Sequence, residues 1–171
     1  MRKAVLIVDM QPKLLNLLRM SQRERLVENV KKVVKFADKR RIPVRYAEFI
    51  FDRYSDYERK DKASMTLSEL GRKEFDGRVI YKYENDAFSG TLLPFLLRDI
   101  DVLVLAGIYT GLCIIDTLRG ALRHGKEIVI SLDTTADIDE ERYYDSAEEF
   151  LKLERVTTYV EYREIMRELE S

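Results

Sequence analysis

The chain has a single cysteine and a single histidine among its 171 residues, and no tryptophan. One cysteine excludes an internal disulfide and any metal site built on two or more thiolates. One histidine excludes two-histidine zinc centres, and any histidine-activated serine or cysteine would have to use His124. Amides are scarce too: Gln11, Gln22, Asn16, Asn29 and Asn85 are all there are. The longest apolar runs, residues 5–8 and 102–106, fall far short of a bilayer span. Charge of one sign is lacking as well. The 30 Lys and Arg nearly cancel the 31 Asp and Glu, so no net field draws the protein to nucleic acid or an anionic membrane. No charged-then-apolar segment opens the chain, and a cytoplasmic location is the expectation.

What is present supports a folded core. Hydrophobic residues make up 46% of the chain, and the length suits a single domain over residues 1–171. Charged residues reach 36%, and their excess over amides is a composition associated with thermophiles.

Strand-like and helix-like segments alternate throughout. Residues 4–8, 44–50, 78–81, 102–106, 127–132 and 156–160 are short β-branched or apolar runs. Between them, apolar positions at spacings of three and four mark one buried helix face, as in Leu26, Val30, Val33, Val34 and Ala37. Further helices are expected near 67–75, 91–98, 110–124, 139–152 and 163–170, with Gly125 stopping the third of these. Strands that are continuously apolar, and not alternating, belong to a sheet covered on both faces. The expected fold is therefore a three-layer α/β/α arrangement, Rossmann-like, with a mainly parallel six-stranded sheet.

In such folds the chemistry lies at the carboxyl edge of the sheet. Asp9 follows the first strand, Lys82 the third and Cys113 the fourth, so a carboxylate, an amine and a thiol leave the same edge. Thr110 is placed to cap the following helix, which would put Cys113 in its first turn, where the helix dipole lowers a thiol pKa. Each residue also has a plainer reading. Cys113 would be a small buried side chain, Asp9 a helix cap before Pro12, and Lys82 an exposed lysine. His124 lies eleven residues beyond Cys113 on the same helix, roughly 16 Å away at about 1.5 Å per residue. It reads as a helix C-terminal histidine, so any base for the thiol must be a carboxylate, and Asp9 is the best placed.

These residues carry a resemblance. The start Val5-Leu6-Ile7-Val8-Asp9-Met10-Gln11, the segment Lys82…Ala87-Phe88-x-Gly90-Thr91-x-Leu93 and the helix entry Gly107-x-x-Thr110-x-x-Cys113-Ile114-x-x-Thr117 resemble the isochorismatase-like cysteine hydrolases. That family includes nicotinamidases and N-carbamoylsarcosine amidases. Asp133 stands where the family has an Asp after the next strand. The resemblance implies a triad of Cys113 as nucleophile, Asp9 as proton carrier and Lys82 as their cationic partner. It implies a cis peptide between Ile108 and Tyr109, with the Tyr109 and Cys113 N–H groups forming an oxyanion hole. Gln11, Phe88 and Tyr109 are expected to contact a small amide-type substrate. A homo-oligomer, dimer or tetramer, is expected on the same ground, with no cofactor and no metal. The family's nicotinamidases carry histidine metal ligands after the second strand; residues 51–57 here contain none, which argues against nicotinamide. Arg53, Tyr54, Tyr57 and Arg59 of the polar segment 51–63 would face either solvent, a partner subunit or a carboxylate-bearing substrate. The expected activity is hydrolysis of a small amide or carbamoyl C–N bond through a thioester. The alternatives are isochorismatase-type vinyl-ether hydrolysis with Asp9 as acid, and a catalytically idle scaffold or small-ligand binder. An NAD-binding reading lacks its glycine signature after the first strand.

Overall fold

Six apolar runs become six parallel strands: β1 (Lys3–Val8), β2 (Val44–Phe49), β3 (Val79–Lys82), β4 (Val102–Ile108), β5 (Glu127–Ala136) and β6 (Val156–Tyr159). They lie in the order β3-β2-β1-β4-β5-β6, so the direction of winding reverses between β1 and β4. The helices are α1 (Pro12–Leu15), α2 (Met20–Lys39), α3 (Leu93–Leu96), α4 (Ile115–Arg123), α5 (Glu140–Lys152) and α6 (Tyr162–Glu170). The structure, a computed structural model, describes residues 1–51, 62–74 and 76–171.

Alternate residues of β1 feed two cores. Val5 and Ile7 pack under α2 and α6, with Leu26, Val30, Val33 and Ile165. Ala4, Leu6 and Val8 pack on the other face with Leu93, Leu118 and Phe150. Burial on both faces is why the strand reads as an unbroken apolar run. The three-layer α/β/α expectation holds, and every strand pair is parallel.

The elements differ from the sequence reading where polar side chains replace the usual signals. The helix expected over 67–75 is only a single 3₁₀ turn, Ser68–Leu70, ended by Gly71 at φ 83°; Phe75 lies outside the described residues. Pro94 confines the next helix to one turn, Leu93–Leu96. β5 runs on past Leu132 to Ala136, because residues 131–134 bulge out between the pairs Leu105↔Ile130 and Gly107↔Thr135. Hydroxyls close that bulge: Ser131 Oγ and Thr134 Oγ1 lie 2.9 Å apart, and Ser131 Oγ donates to Asp133 Oδ1 at 2.9 Å. Asp133 therefore sits in a bulge within the strand, where it also accepts from Asn29 Nδ2.

Candidate active site

β1 ends at Val8, and Asp9 turns out of the strand at φ 55°. Aspartate is among the few residues that tolerate this left-handed geometry. Its N–H donates to Ala47 O on β2 at 2.9 Å, which fixes the turn. Asp9 is not a helix cap: Gln11 occupies the cap position of α1, and without a side-chain bond. Instead the Asp9 carboxylate, 1% exposed, meets Lys82 Nζ at 2.9 Å.

Lys82 is the last residue of β3 and pairs in register with Phe49 on β2. β2 stands between β3 and β1, so the lysine side chain crosses over β2 and the Asp9 side chain meets it from the other side. It passes the Phe49 ring at 5.0 Å and is wholly buried. Nζ donates also to Glu84 O and Asn85 O, both at 3.1 Å. An ammonium has three donors, and here two carbonyls and one carboxylate surround it. The exposed-lysine reading is thus excluded.

Cys113 arrives from β4. Gly107, at φ 133°, lies so close to β1 that a Cβ would fall 2.0 Å from Val8 O. Only glycine permits that approach, and it brings the end of β4 beside Asp9. The Ile108–Tyr109 peptide is cis. The chain then makes a wide π-helical turn, Thr110–Ile114, in which Ile114 N–H donates to Tyr109 O at 3.1 Å. This corrects the expected capping by Thr110: Tyr109 holds the cap position, α4 starts only at Ile115, and Thr110 Oγ1 has no partner among the described residues. The turn is shaped from outside. Asp137 Oδ2 accepts the Gly111 N–H at 2.8 Å, and the Arg142 stem packs where a Gly111 Cβ would be.

The thiol is 7% exposed and lies in the α4-side core with Val8, Ala87 and Phe88. Burial pushes it up to about 12, and the neighbouring Asp9 charge pushes the same way, outweighing Lys82. The expected lowering by a helix N-terminus is therefore reversed, since loss of water around a thiolate costs more here than the turn's dipoles return. Burial likewise raises Asp9, opposed by Lys82 and by the thiol. Beyond its ion pair with Lys82, the Asp9 carboxylate has no hydrogen-bond donor among the described residues. The thiol therefore rests protonated at neutral pH, beside an acid whose proton affinity burial has increased.

The residues expected to touch substrate have other occupations. Gln11 is fully buried; its Nε2 donates to Phe49 O (3.0 Å) and Ser64 O (2.7 Å), and its Oε1 accepts Phe49 N–H at 2.8 Å. It joins the end of β2 to the 62–64 turn. Replacing Gln11 with Leu strands three buried backbone groups, so a loss of about 2–3 kcal/mol is expected in urea denaturation. Phe88 is buried and stacks on His124, ring centroids 5.2 Å apart. That contact also places the only histidine, at the C-cap of α4, against a phenylalanine. The Tyr109 hydroxyl donates to Leu14 O at 2.6 Å. Arg53, Tyr54, Tyr57 and Arg59 lie outside the described residues.

Two features were missed in the sequence. Glu48 is a fully buried carboxylate on β2 that accepts Thr66 N–H and Arg72 Nε, each at 2.9 Å, and its charge acts on Asp9. An acid inside an otherwise apolar strand was the available signal. Asn85 reaches both Lys82 and Cys113: its backbone oxygen accepts from the ammonium and its Oδ1 accepts the thiol at 3.7 Å. As a lone amide in a polar stretch it carried no signal. Among the described residues, no cluster of His, Cys, Asp and Glu could hold a metal ion, and no helix is long and apolar enough to cross a membrane.

The structure is thus a doubly wound parallel α/β domain with a thiol, a carboxylate and an amine buried together at its switch point. Residues 3–160 match the isochorismatase domain, and the chain belongs to the isochorismatase-like hydrolase family. Its fold is similar to that of a cysteine hydrolase from Pseudomonas syringae pv. phaseolicola 1448A, with 20% identity, TM-score 0.82 and coverage of 99% of this chain and 92% of that one. It is similar also to N-carbamoylsarcosine amidase from Thermoplasma acidophilum (23% identity, TM-score 0.77, covering 94% and 96%). Nicotinamidase from Bacillus subtilis is a further neighbour (20% identity, TM-score 0.75, covering 94% and 100%). No curated protein sequence matches.

Proposed function

We propose that the protein hydrolyses a small amide or carbamoyl C–N bond through a thioester on Cys113. The observation that carries this reading is the buried Asp9–Lys82 pair at 2.9 Å beside a thiol held in the same site. Sγ attacks the carbonyl carbon while Asp9 takes the thiol proton. Raising of Asp9 by burial makes it a stronger base for this transfer than a solvated carboxylate would be. The oxyanion gathers on the Tyr109 and Cys113 N–H groups. Asp9 then returns its proton to the leaving nitrogen, and the C–N bond breaks. A water, deprotonated by Asp9, attacks the thioester; the acid leaves and the thiol regains its proton. Lys82 holds Asp9 in place throughout. The similarity to an N-carbamoylsarcosine amidase and a nicotinamidase supports a C–N substrate. With one histidine, stacked on Phe88, this chain does not fit the histidine metal centre that the resemblance attaches to nicotinamidases.

A panel of primary amides, ureido acids and N-carbamoyl compounds, assayed for ammonia release, tests the reading. At least one is expected to turn over and, quenched in the steady state, to leave an acyl mass on the peptide that contains Cys113. Turnover with no acyl adduct, under conditions where deacylation is slow, would sink the thioester.

A further inference from the structure

A chain of side chains runs from the surface to the thiol. Glu149 on α5 grips Arg119 on α4, with Nη2 at 2.7 and 2.8 Å from its two oxygens. Arg119 Nη1 reaches Asp116 Oδ1 at 3.4 Å, and Asp116 Oδ2 accepts Asn85 Nδ2 at 3.2 Å. Asn85 Oδ1 then accepts the Cys113 thiol at 3.7 Å. Asn85, Asp116 and Arg119 share a cleft of about 430 Å³ with Glu84, Asp86 and Arg123, so the amide stands between that opening and the sulfur.

The direction of the amide follows from chemistry. Asp116, as a carboxylate paired with Arg119, can only accept. It therefore draws the NH₂ end of Asn85 toward itself and turns the carbonyl end toward Cys113. A carbonyl oxygen favours S–H and repels S⁻. We propose that Asn85 is a positioning residue for the nucleophile, and that Asp116 locks its amide so that the thiol is held protonated until attack. The inference rests on the reading of Cys113 as nucleophile. It adds a device that this reading does not require: a surface ion-pair chain that sets the ionisation of a buried thiol. The other charged or titratable groups facing the sulfur are Asp9 from the end of β1, Lys82 from β3 and Tyr109 from the end of β4. None of them is altered in the variants below.

Because the chain has one cysteine, the pH profile of alkylation by iodoacetamide reports this thiol alone. Asp116→Asn keeps the shape but supplies a donor opposite Asn85, so the amide is free to turn its NH₂ toward sulfur. Its alkylation profile is expected to move about one pH unit toward acid. Asn85→Ala should move it the same way, and Asn85→Asp, which sets a carboxylate beside the sulfur, should move it toward alkali. Profiles of Asp116→Asn and Asn85→Ala that coincide with the parent's would overturn the proposal. Asp116 is partly exposed, so Asp116→Asn carries the test should Asn85→Ala fail to fold. The outcome is separable from the nucleophile reading, which fails if Cys113→Ser retains ammonia release, whatever the alkylation profiles show.

Discussion

Cys113→Ser should lower hydrolysis by about four orders of magnitude or more while leaving the fold intact. The two side chains differ by one atom, and the site has room for the smaller oxygen. The base does not change with it. Asp9 is raised by burial but remains a carboxylic acid, whereas a hydroxyl holds its proton several units more tightly than a thiol. Asp9 cannot remove that proton during attack, and no histidine stands in: His124 is stacked on Phe88 at 5.2 Å. Circular dichroism and thermal melting should match the parent. The substitution also separates the vinyl-ether alternative, in which Asp9 alone protonates the substrate and turnover survives. In the parent, activity should fall as the pH drops through the raised Asp9 titration, because a protonated carboxylate accepts nothing from the thiol. The position of that acid limb, read from kcat/KM against pH, gives the Asp9 value directly.

Lys82→Met should cost about 3–5 kcal/mol of stability, since it leaves the Asp9 carboxylate buried without its cation. Two carbonyls, of Glu84 and Asn85, lose a donor at the same time. The loss should depend on pH in a defined sense. Without Lys82 the largest influence opposing burial is gone, so Asp9 rises further above its ordinary 3.8. A folded-state pKa above the unfolded value means that the native state binds more protons in the window between them. Stability of the variant therefore declines as pH rises from about 4 through the folded value, and the deficit is smaller in acid. Urea denaturation of parent and variant at mildly acidic and mildly alkaline pH measures this. Asp9→Asn combined with Lys82→Met should recover part of the loss, because no charge is then buried alone. Equal stability of Lys82→Met and the parent at both pH values would show that the pair contributes nothing to the fold.

The readable part of the architecture lay in local patterns that tertiary context did not overturn. Continuous apolar strands with i, i+3, i+4 helices between them led to a parallel sheet covered on both faces, and that is what forms. α2 buries Leu26, Val30, Val33, Val34 and Ala37 as its periodicity requires, and Gly125 follows the C-cap of α4 at φ 74°. What failed locally was capping and strand termination. Thr110 looked like a cap because threonine usually is one, but Asp137 captured the nearby Gly111 N–H from outside the segment. The polar residues after Leu132 looked like a loop because their hydroxyl bonds close a bulge that has no sequence period.

By itself the sequence determined which groups are available: one thiol, one histidine, and a carboxylate and an amine leaving one sheet edge. It determined that any base must be a carboxylate, since His124 lies on the far end of the helix that carries Cys113. The tertiary structure decided what state those groups are in. Strand order put β2 between Lys82 and Asp9, so the lysine is drawn inward across the sheet and not left in solvent. Packing of Gly107 on Val8 brought the thiol under cover, and burial then raised it, against the lowering that a helix terminus alone would produce. It also tied Gln11 to the backbone at the end of β2 and stacked Phe88 on His124. Residue types and their order fix the chemistry on offer; desolvation and the contacts across the sheet, which no local window contains, fix which proton sits where.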